Sequence, residues 1–454
     1  MRGLNTVLRD KSFRYKLRMV ALPVAFQNLI NFGLNAADTI MLGRVGETQL
    51  AAAAVTNLFS FVFMVITLGL AAGCGVLMAQ HWGAGDVAKV RRIMVFMYRI
   101  MAVLNLGFAL TAILLPQYIL GFIIADPEVI AEGIRFMRII GISYAFWGLS
   151  NATIFALRAT GVVNIAVVTS LCSLITNLTL NYLLIFGNFG FPVLGIVGAG
   201  IATTTSRILE FIILSVYIFR IEKRIGLRPA DLCANTSGVG KSFARHGLPV
   251  VINEVFWVTG HFLLNVTLGR MGREAVAANA ITGLMIQLIG VILFGLSSAT
   301  GTVIGNTIGE GEHAKAREYA NGMLAVSFFV GLLGFAIIQA VRLPIIGFHV
   351  LSPEAQHYAE QMTHVISIIV IFMSVAIISM MGTLRGGGDT KFVMWADIVF
   401  IWLIALPLGA FTGLVLGWPI HIVFMILRSE DVFKTILVLW RVPRGKWLKN
   451  VTAI

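Results

Sequence analysis

The chain has 454 residues, of which 58% are hydrophobic and only 12% are charged. Soluble globular proteins carry about 25% charged residues, so this composition excludes a water-soluble protein and indicates one embedded in a membrane. The net charge of +13 is typical of loops that orient membrane spans, and we do not interpret it as a nucleic-acid-binding patch.

The first predicted element is a membrane span that follows a basic segment. No signal-peptide cleavage pattern lies nearby, so we expect this span to remain as an uncleaved anchor. The basic residues of the segment are Arg9, Lys11, Arg14, Lys16 and Arg18.

Twelve apolar runs are long enough to cross a bilayer when the chain is read in windows of about 19 residues. They lie near residues 19–43, 51–80, 93–116, 134–157, 163–187, 193–219, 246–269, 278–306, 320–342, 362–384, 392–416 and 418–440. We therefore predict an all-α integral membrane protein with twelve transmembrane helices.

Basic residues are concentrated in every second loop and in both terminal segments. The rule that positive loops stay inside then places both termini in the cytoplasm, and we expect a multi-pass protein of the cytoplasmic (inner) membrane. Asp397 and Arg99 lie within about two turns of the predicted cytoplasmic face, where we expect them to reach water.

The longest loop, at 220–246, contains a sequence that superficially resembles a phosphate-binding loop, Ser237 to Ser242. The first glycine of that motif is missing because Asn235 occupies its place, so an ATP-driven pump is not indicated. Cys74, Cys172 and Cys233 are far apart, and their spacing predicts neither a disulfide framework nor a zinc site.

The chain repeats itself at an offset of 226 residues. Leu22-Pro23-Val24 aligns with Leu248-Pro249-Val250, Gly83 with Gly309, and Gly85 with Gly311. We predict a tandem duplication of six spans, with an N-terminal bundle at 1–219, a cytoplasmic linker at 220–245 and a C-terminal bundle at 246–454. Two halves with even numbers of spans would be related by a pseudo-two-fold axis along the membrane normal, as in transporters.

No filter-like carbonyl loop and no catalytic constellation favours a channel or an enzyme over a transporter. We therefore expect no enzymatic activity. We also expect no cofactor.

Polar residues inside the first span share one helical face. Asn28, Asn31, Asn35 and Asp38 are spaced by three or four residues. A carboxylate at bilayer depth costs at least about 2.5 kcal/mol, so Asp38 is a candidate functional residue that could exchange a proton or sodium. The alternative for the asparagines is a hydrogen-bond network between packed helices.

A second polar and aromatic stripe lies in the seventh span. Its members are Glu254, Trp257, His261 and Asn265. In the repeat, Asp38 aligns with Leu264 and Glu254 with Asn28, so the acids break the symmetry, as specialised groups would. Two further sets, Arg207 with Glu210, and Arg428 with Glu430, Asp431 and Lys434, are predicted to form structural ion pairs.

The sequence resembles the multidrug and toxic compound extrusion (MATE) family over nearly its whole length. The motifs that carry this resemblance are Asp38-Thr39-Ile40-Met41-Leu42-Gly43, Leu157-Arg158-Ala159-Thr160-Gly161, Gly198 to Thr203, Leu384 to Thr390, and the tail Arg441 to Trp447. The family implies a two-bundle exporter that expels organic cations and other drugs in exchange for sodium or protons.

The resemblance also implies roles for individual residues. Asp38 matches the first-span acid that couples transport to a cation, Asn177 and Asn181 match its fifth-span polar pair, and Thr203 and Tyr144 match residues near that acid.

In the C-terminal half the match is partial. Glu254 matches a seventh-span glutamate, whereas the tenth span offers only serines where some sodium-coupled members carry an aspartate. Coupling through Asp38 is therefore favoured over a C-terminal site. The only metal ion that we expect to bind at Asp38 is sodium, as the alternative to a proton.

The predicted function is a proton- or sodium-coupled antiporter that exports drugs, organic cations and toxic metabolites by alternating access, acting as a monomer. The cation-coupling residues would be Asp38, Asn177, Asn181 and Thr203, and the substrate cavity would include Asn31, Asn35, Tyr144, Glu254, Trp257 and His261. Two alternatives remain: a lipid-linked oligosaccharide flippase of the same superfamily, and a dedicated exporter of one metabolite.

Overall fold

The computed structural model describes residues 10–349 and 351–452, and these residues are almost entirely helical. Arg9 of the predicted basic segment and the last two residues of the predicted C-terminal bundle lie outside the described residues. The helices are α1 (Lys11–Gly43), α2 (Glu47–Gly83), α3 (Val87–Leu114), α4 (Pro116–Ile123), α5 (Pro127–Ala159), α6 (Asn164–Phe186), α7 (Ile196–Ile221), α8 (Val239–Gly269), α9 (Arg273–Gly309), α10 (His313–Gly347), α11 (Pro353–Leu384), α12 (Thr390–Val415), α13 (Ile420–Leu427) and α14 (Ser429–Arg444).

Within the described residues, eleven of these helices are long and apolar enough to cross a membrane. They account for eleven of the twelve predicted runs. The twelfth run, 418–440, is divided at Arg428 between α13 and α14. A continuous helix would bring the polar segment from Arg428 to Asp431 into its middle, whereas the break places Glu430 and Asp431 in the first turn of α14, where the helix dipole favours acids.

Helices α2 and α9 show the duplication directly. Each has 37 residues, and their first and last residues differ by the same offset of 226. Each helix is followed by a glycine in the left-handed region, Gly85 at φ +74° and Gly311 at φ +82°. A residue with a Cβ rarely adopts this conformation, so both halves of the chain need glycine at the equivalent turn.

The equivalent glycines Gly83 and Gly309 lie at a close crossing of α2 and α9. A Cβ on Gly83 would collide with the backbone carbonyl of Asn306, and a Cβ on Gly309 would collide with that of Gln80. Gln80 and Asn306 are themselves equivalent in the repeat, so each half of the chain makes the same contact with the other copy of this helix.

The described chain forms two compact units. We call residues 26–78 and 86–243 the N-terminal unit, and residues 10–25, 79–85 and 244–452 the C-terminal unit. The predicted domain bounds at 219 and 246 remain a prediction.

The core of the N-terminal unit contains a cluster of aromatic rings around Phe63. Its ring centroid lies 5.1 Å from that of Phe108 and 4.7 Å from that of Tyr144. These rings pack α2 against α3 and α5.

The C-terminal tail packs against the C-terminal unit through Trp447. Trp447 is fully buried, donates from Nε1 to the carbonyl of Val442 at 2.9 Å and lies against Gly387. Arg441 donates to Asp389 Oδ2 at 2.9 Å. The tail motif from Arg441 to Trp447 is therefore anchored in the core of this unit through Val442 and Trp447.

Candidate coupling site

The centre of the candidate site is a hydrogen bond between α1 and α6. Asn181 Nδ2 donates to Asp38 Oδ1 at 2.5 Å. Asn181 is fully buried and Asp38 is half-buried. The amide therefore solvates a carboxylate that the bilayer would otherwise leave unpaired.

The hydrogen bonds continue away from Asp38 through neutral groups. Asn181 Nδ2 also donates to Asn177 Oδ1 at 2.9 Å, and Asn177 Nδ2 donates to Thr203 Oγ1 at 3.3 Å. Asn177 and Asn181 are one helical turn apart on α6, and Thr203 lies on the facing helix α7. The structure thus brings together the four residues predicted for cation coupling.

One buried acceptor in this network is unused. Asn181 Oδ1 is buried and accepts no hydrogen bond. An unsatisfied buried oxygen costs about 1–3 kcal/mol. It lies on the same amide that holds Asp38, so it is a ready acceptor or ligand for a proton donor or a cation.

No lysine, arginine or histidine of the described chain forms an ion pair with Asp38, whose only side-chain partner is Asn181. Arg207 on α7 is near enough to interact with Asp38 electrostatically. Its guanidinium is held instead by Glu210 at 3.0 Å and lies over the Trp147 ring. The predicted Arg207–Glu210 pair is confirmed.

The remaining predicted residues of the N-terminal unit do not contact Asp38. Asn31 is half-buried and Asn35 is exposed, and the Asn35 carbonyl accepts from Thr39 at 2.9 Å. Tyr144 is buried in the aromatic cluster, where its hydroxyl bonds to Ser60 Oγ at 2.6 Å. The sequence did not indicate Ser60 as its partner, because the two residues are on helices far apart in the chain.

In the C-terminal unit Glu254 forms an ion pair that the sequence did not predict. Its Oε1 lies 2.5 Å from Arg385 Nη1, and the arginine is largely buried. Arg385, which directly follows the predicted span 362–384, is the counterion of Glu254.

His261 also has a charged neighbour. Its Nε2 lies 3.2 Å from Glu430 Oε1, its Nδ1 lies 3.3 Å from Arg428 Nη1, and its ring packs against Trp257. His261 of α8 therefore contacts both Glu430 of α14 and Arg428 at the α13–α14 break.

The expectation that Asp397 reaches water is wrong. Only 4% of Asp397 is exposed, and it pairs with Lys434 Nζ at 2.6 Å and accepts from Asn253 at 2.9 Å. Its nearness to the predicted cytoplasmic face did not matter because α14 covers it. Arg99 is exposed and donates to the carbonyls of Leu232 and Ala234 in the long loop.

A cavity of about 540 Å³ opens elsewhere in the C-terminal unit. Arg270, His357, Gln361, Trp418 and His421 are among the residues that line it. None of the predicted site residues lines this cavity.

The fold and these polar sites, built on long apolar helices, define a membrane transporter. A profile of the MatE family matches residues 23–183 and 249–411, one match in each half of the chain. The chain therefore belongs to this family of membrane transporters and is not an enzyme. Members of the family need no cofactor and are coupled to ion gradients.

Curated relatives and solved structures resemble the chain over most of its length. The "Probable multidrug resistance protein NorM" of Thermotoga maritima is 27% identical, and the alignment covers 96% of this chain and 94% of the relative. The "Multidrug resistance protein MdtK" of Cronobacter sakazakii is 25% identical, with 88% and 87% covered.

Among solved structures, a MATE transporter in the bent conformation superposes with a TM-score of 0.87 at 17% identity and covers both chains completely. A mutant of the Vibrio cholerae MATE transporter VcmN gives 0.88 at 17% identity, with 98% and 99% covered. These likenesses confirm the all-α membrane fold.

Proposed function

We propose that the chain is a multidrug antiporter, which exports organic cations and drugs in exchange for protons or sodium ions bound at Asp38. The observation that carries this proposal is the Asp38 carboxylate, held by the amide of Asn181 and paired with no described cation. The names of the relatives from Thermotoga maritima and Cronobacter sakazakii support multidrug export.

The exchange follows from electrostatics. A half-buried carboxylate without a counterion attracts a positive charge, which a proton, a sodium ion or an organic cation can each supply. Competition for one carboxylate lets the inward-moving ion displace the outgoing drug. Alternating access would then expose Asp38 to each side of the membrane in turn.

The neutral residues around Asp38 would tune this exchange. The Asn181 amide stabilises the ionised carboxylate through Nδ2, and its free Oδ1 can accept from a protonated ligand or coordinate sodium. Asn177 and Thr203 hold the Asn181 side chain in place through their hydrogen bonds. We assign these three residues to positioning and to coordination of the coupling ion.

We also propose that the protein lies in the cytoplasmic membrane with both termini in the cytoplasm, and that it functions as a monomer. The proposed substrate cavity includes Asn31, Asn35, Tyr144, Glu254, Trp257 and His261. Site-directed cysteine labelling from the two sides of the membrane would test the orientation, at positions such as the 83–87 and 309–313 loops.

A flippase for a pyrophosphate-linked lipid would need free basic side chains. Here Arg207, Arg385 and Lys434 each contact a carboxylate, so their charges are already balanced. This balance favours export of cations over transport of a polyanionic headgroup.

The experiment compares cells that lack their own exporters and produce wild type, Asp38→Asn or Glu128→Gln. Glu128 is exposed near the start of α5 and serves as the acid-to-amide control. We expect wild type and Glu128→Gln to exclude ethidium and confer resistance, and Asp38→Asn to do neither at equal membrane levels. Ethidium export by Asp38→Asn at the wild-type rate would contradict the proposal, and ethidium accumulation in wild-type cells would favour a flippase or a dedicated metabolite exporter.

A further inference from the structure

The C-terminal unit contains a group of buried and partly buried charged side chains, whereas Asp38 belongs to the N-terminal unit. It is formed by Asp397 of α12, Glu430, Asp431 and Lys434 of α14, His261 of α8, and Arg428 at the α13–α14 break. We call these six residues the buried charge cluster. Glu430, Asp431, Lys434 and Asp397 are each at most 6% exposed.

Lys434 bridges two of the three carboxylates. Its Nζ lies 2.6 Å from Asp397 Oδ1 and 2.5 Å from Glu430 Oε2. The second oxygen of Asp397 accepts from Asn253 Nδ2 at 2.9 Å. Both oxygens of Asp397 thus contact a donor, so this carboxylate is fully partnered.

The ring of His261 lies between Arg428 and Glu430. Arg428 Nη1 lies 3.3 Å from His261 Nδ1, and because a guanidinium can only donate, Nδ1 must be the acceptor. The proton of the neutral ring is then on Nε2, which lies 3.2 Å from Glu430 Oε1. The angle is too poor for a hydrogen bond, so Oε1 is a buried, unpartnered oxygen that points towards the imidazole.

Asp431 has no comparable partner. No hydrogen bond or ion pair joins its carboxyl group to another described residue, although it lies next to Glu430 in the first turn of α14. Its electrostatic neighbours are Glu430, Lys434, Arg428 and Asp397. Two of these four are acids that disfavour a further negative charge.

The charges of the cluster do not balance. Three carboxylates face two permanent cations, Lys434 and Arg428, and Arg428 keeps His261 from taking a second proton on Nδ1. An uncompensated charge in the protein interior is strongly unfavourable, so the cluster needs one more positive charge. The carboxylates and the imidazole do not converge into a group that could hold a metal ion, which leaves a proton.

We propose that Asp431 is a second proton-binding site of this transporter, a neutral carboxylic acid inside the C-terminal unit that is separate from Asp38. Loss of this proton would leave the cluster with an excess negative charge, which Arg428 could relieve only by leaving His261. Gain or loss of the proton would therefore change the contact between α8 and the α13–α14 break. Proton binding in the C-terminal unit is thereby linked to helix packing.

Infrared difference spectroscopy of purified protein in lipid tests this proposal, because a protonated buried carboxyl group has a distinct C=O stretching band. The background variant is Asp38→Asn, which removes the other candidate carboxylate. We expect the band in this background at neutral pH, its loss in Asp38→Asn/Asp431→Asn, and a shift of its frequency in Asp38→Asn/Asp431→Glu. The control adds Asp389→Asn to the same background. The buried Asp389 is paired with Arg441 and Lys449, and we expect this substitution to leave the band unchanged.

Two results would overturn the proposal: no protonated carboxyl band in the Asp38→Asn background at neutral pH, or a band that Asp431→Asn and Asp431→Glu leave unchanged. Asp431→Asn balances the charge of the cluster and should fold, and the glutamate variant gives the same answer if it does not. The readout needs no transport, so it stands or falls independently of coupling at Asp38.

Discussion

Asn181 donates one hydrogen bond to Asp38 and a second, from the same nitrogen, to Asn177. The carboxylate of α1 is therefore fixed by a side chain of α6 that is itself fixed by its own helix. This arrangement leaves Asp38 with a neutral hydrogen-bond partner and free to take up a cation.

The first prediction concerns the donor. Asn181→Ala should reduce transport about tenfold or more at unchanged membrane levels, because a hydrogen bond to a charged group contributes about 1.5–3 kcal/mol. Initial rates of ethidium export measure the effect. Asn151→Ala is the matched control, since the Asn151 amide bonds only to a carbonyl of its own helix, and an equal loss in this control would contradict a specific role for Asn181.

The second prediction concerns the ion pair between Glu254 and Arg385. Arg385→Ala should lower the free energy of unfolding by about 1–3 kcal/mol, because it leaves the half-buried Glu254 carboxylate without its counterion. Denaturant unfolding in detergent, followed by the accessibility of buried Cys74, measures the change.

A double-mutant cycle separates this pair from other effects. Glu254→Gln combined with Arg385→Ala should recover much of the stability lost in Arg385→Ala alone, because neither charge is then left without its partner. Strict additivity of the two losses would show that the pair is not coupled. We also expect Glu254→Gln to impair export less than Asp38→Asn, and equal loss would move the coupling site to the C-terminal half.

The third prediction concerns the close crossing of α2 and α9. Gly83→Ala and Gly309→Ala should each destabilise the protein by about 1–3 kcal/mol, because the new Cβ would collide with backbone across the crossing. Gly107→Ala in α3 is the control: no atom lies within 4 Å of its Cβ position, and the substitution should stabilise the helix by about 0.5–1 kcal/mol. Thermal unfolding curves of the three variants would be compared, and an unchanged Tm for both crossing variants would contradict the contact.

Much of the fold follows from the sequence. Apolar runs predicted the spans because each must bury about 20 residues in lipid, and the 226-residue offset is visible again in the equal lengths of α2 and α9. The break at Arg428 was missed because the hydropathy of a long window averages over a single charged turn. The predicted runs for α2 and α9 were too short at both ends, since these helices continue beyond the residues where hydropathy falls.

The site was predictable where it depends on spacing along one helix. Asn177 and Asn181 are one turn apart, and helical geometry alone places them on one face. Contacts between helices were not predictable in the same way: the pairs Glu254–Arg385 and Asp397–Lys434 join residues from different helices. A positional rule such as the bias of basic loops cannot predict the Glu254–Arg385 pair, because it does not consider which acid lies opposite an arginine.

The central claim is that an ion bound at Asp38 drives export. The most direct test reconstitutes purified wild type and Asp38→Asn in liposomes, imposes a pH gradient and a sodium gradient separately, and follows the movement of a fluorescent organic cation. We predict that one of the two gradients drives transport by wild type, which identifies the coupling ion, and that the same gradient drives none in Asp38→Asn. Gradient-driven transport of equal rate in both proteins would contradict coupling at Asp38.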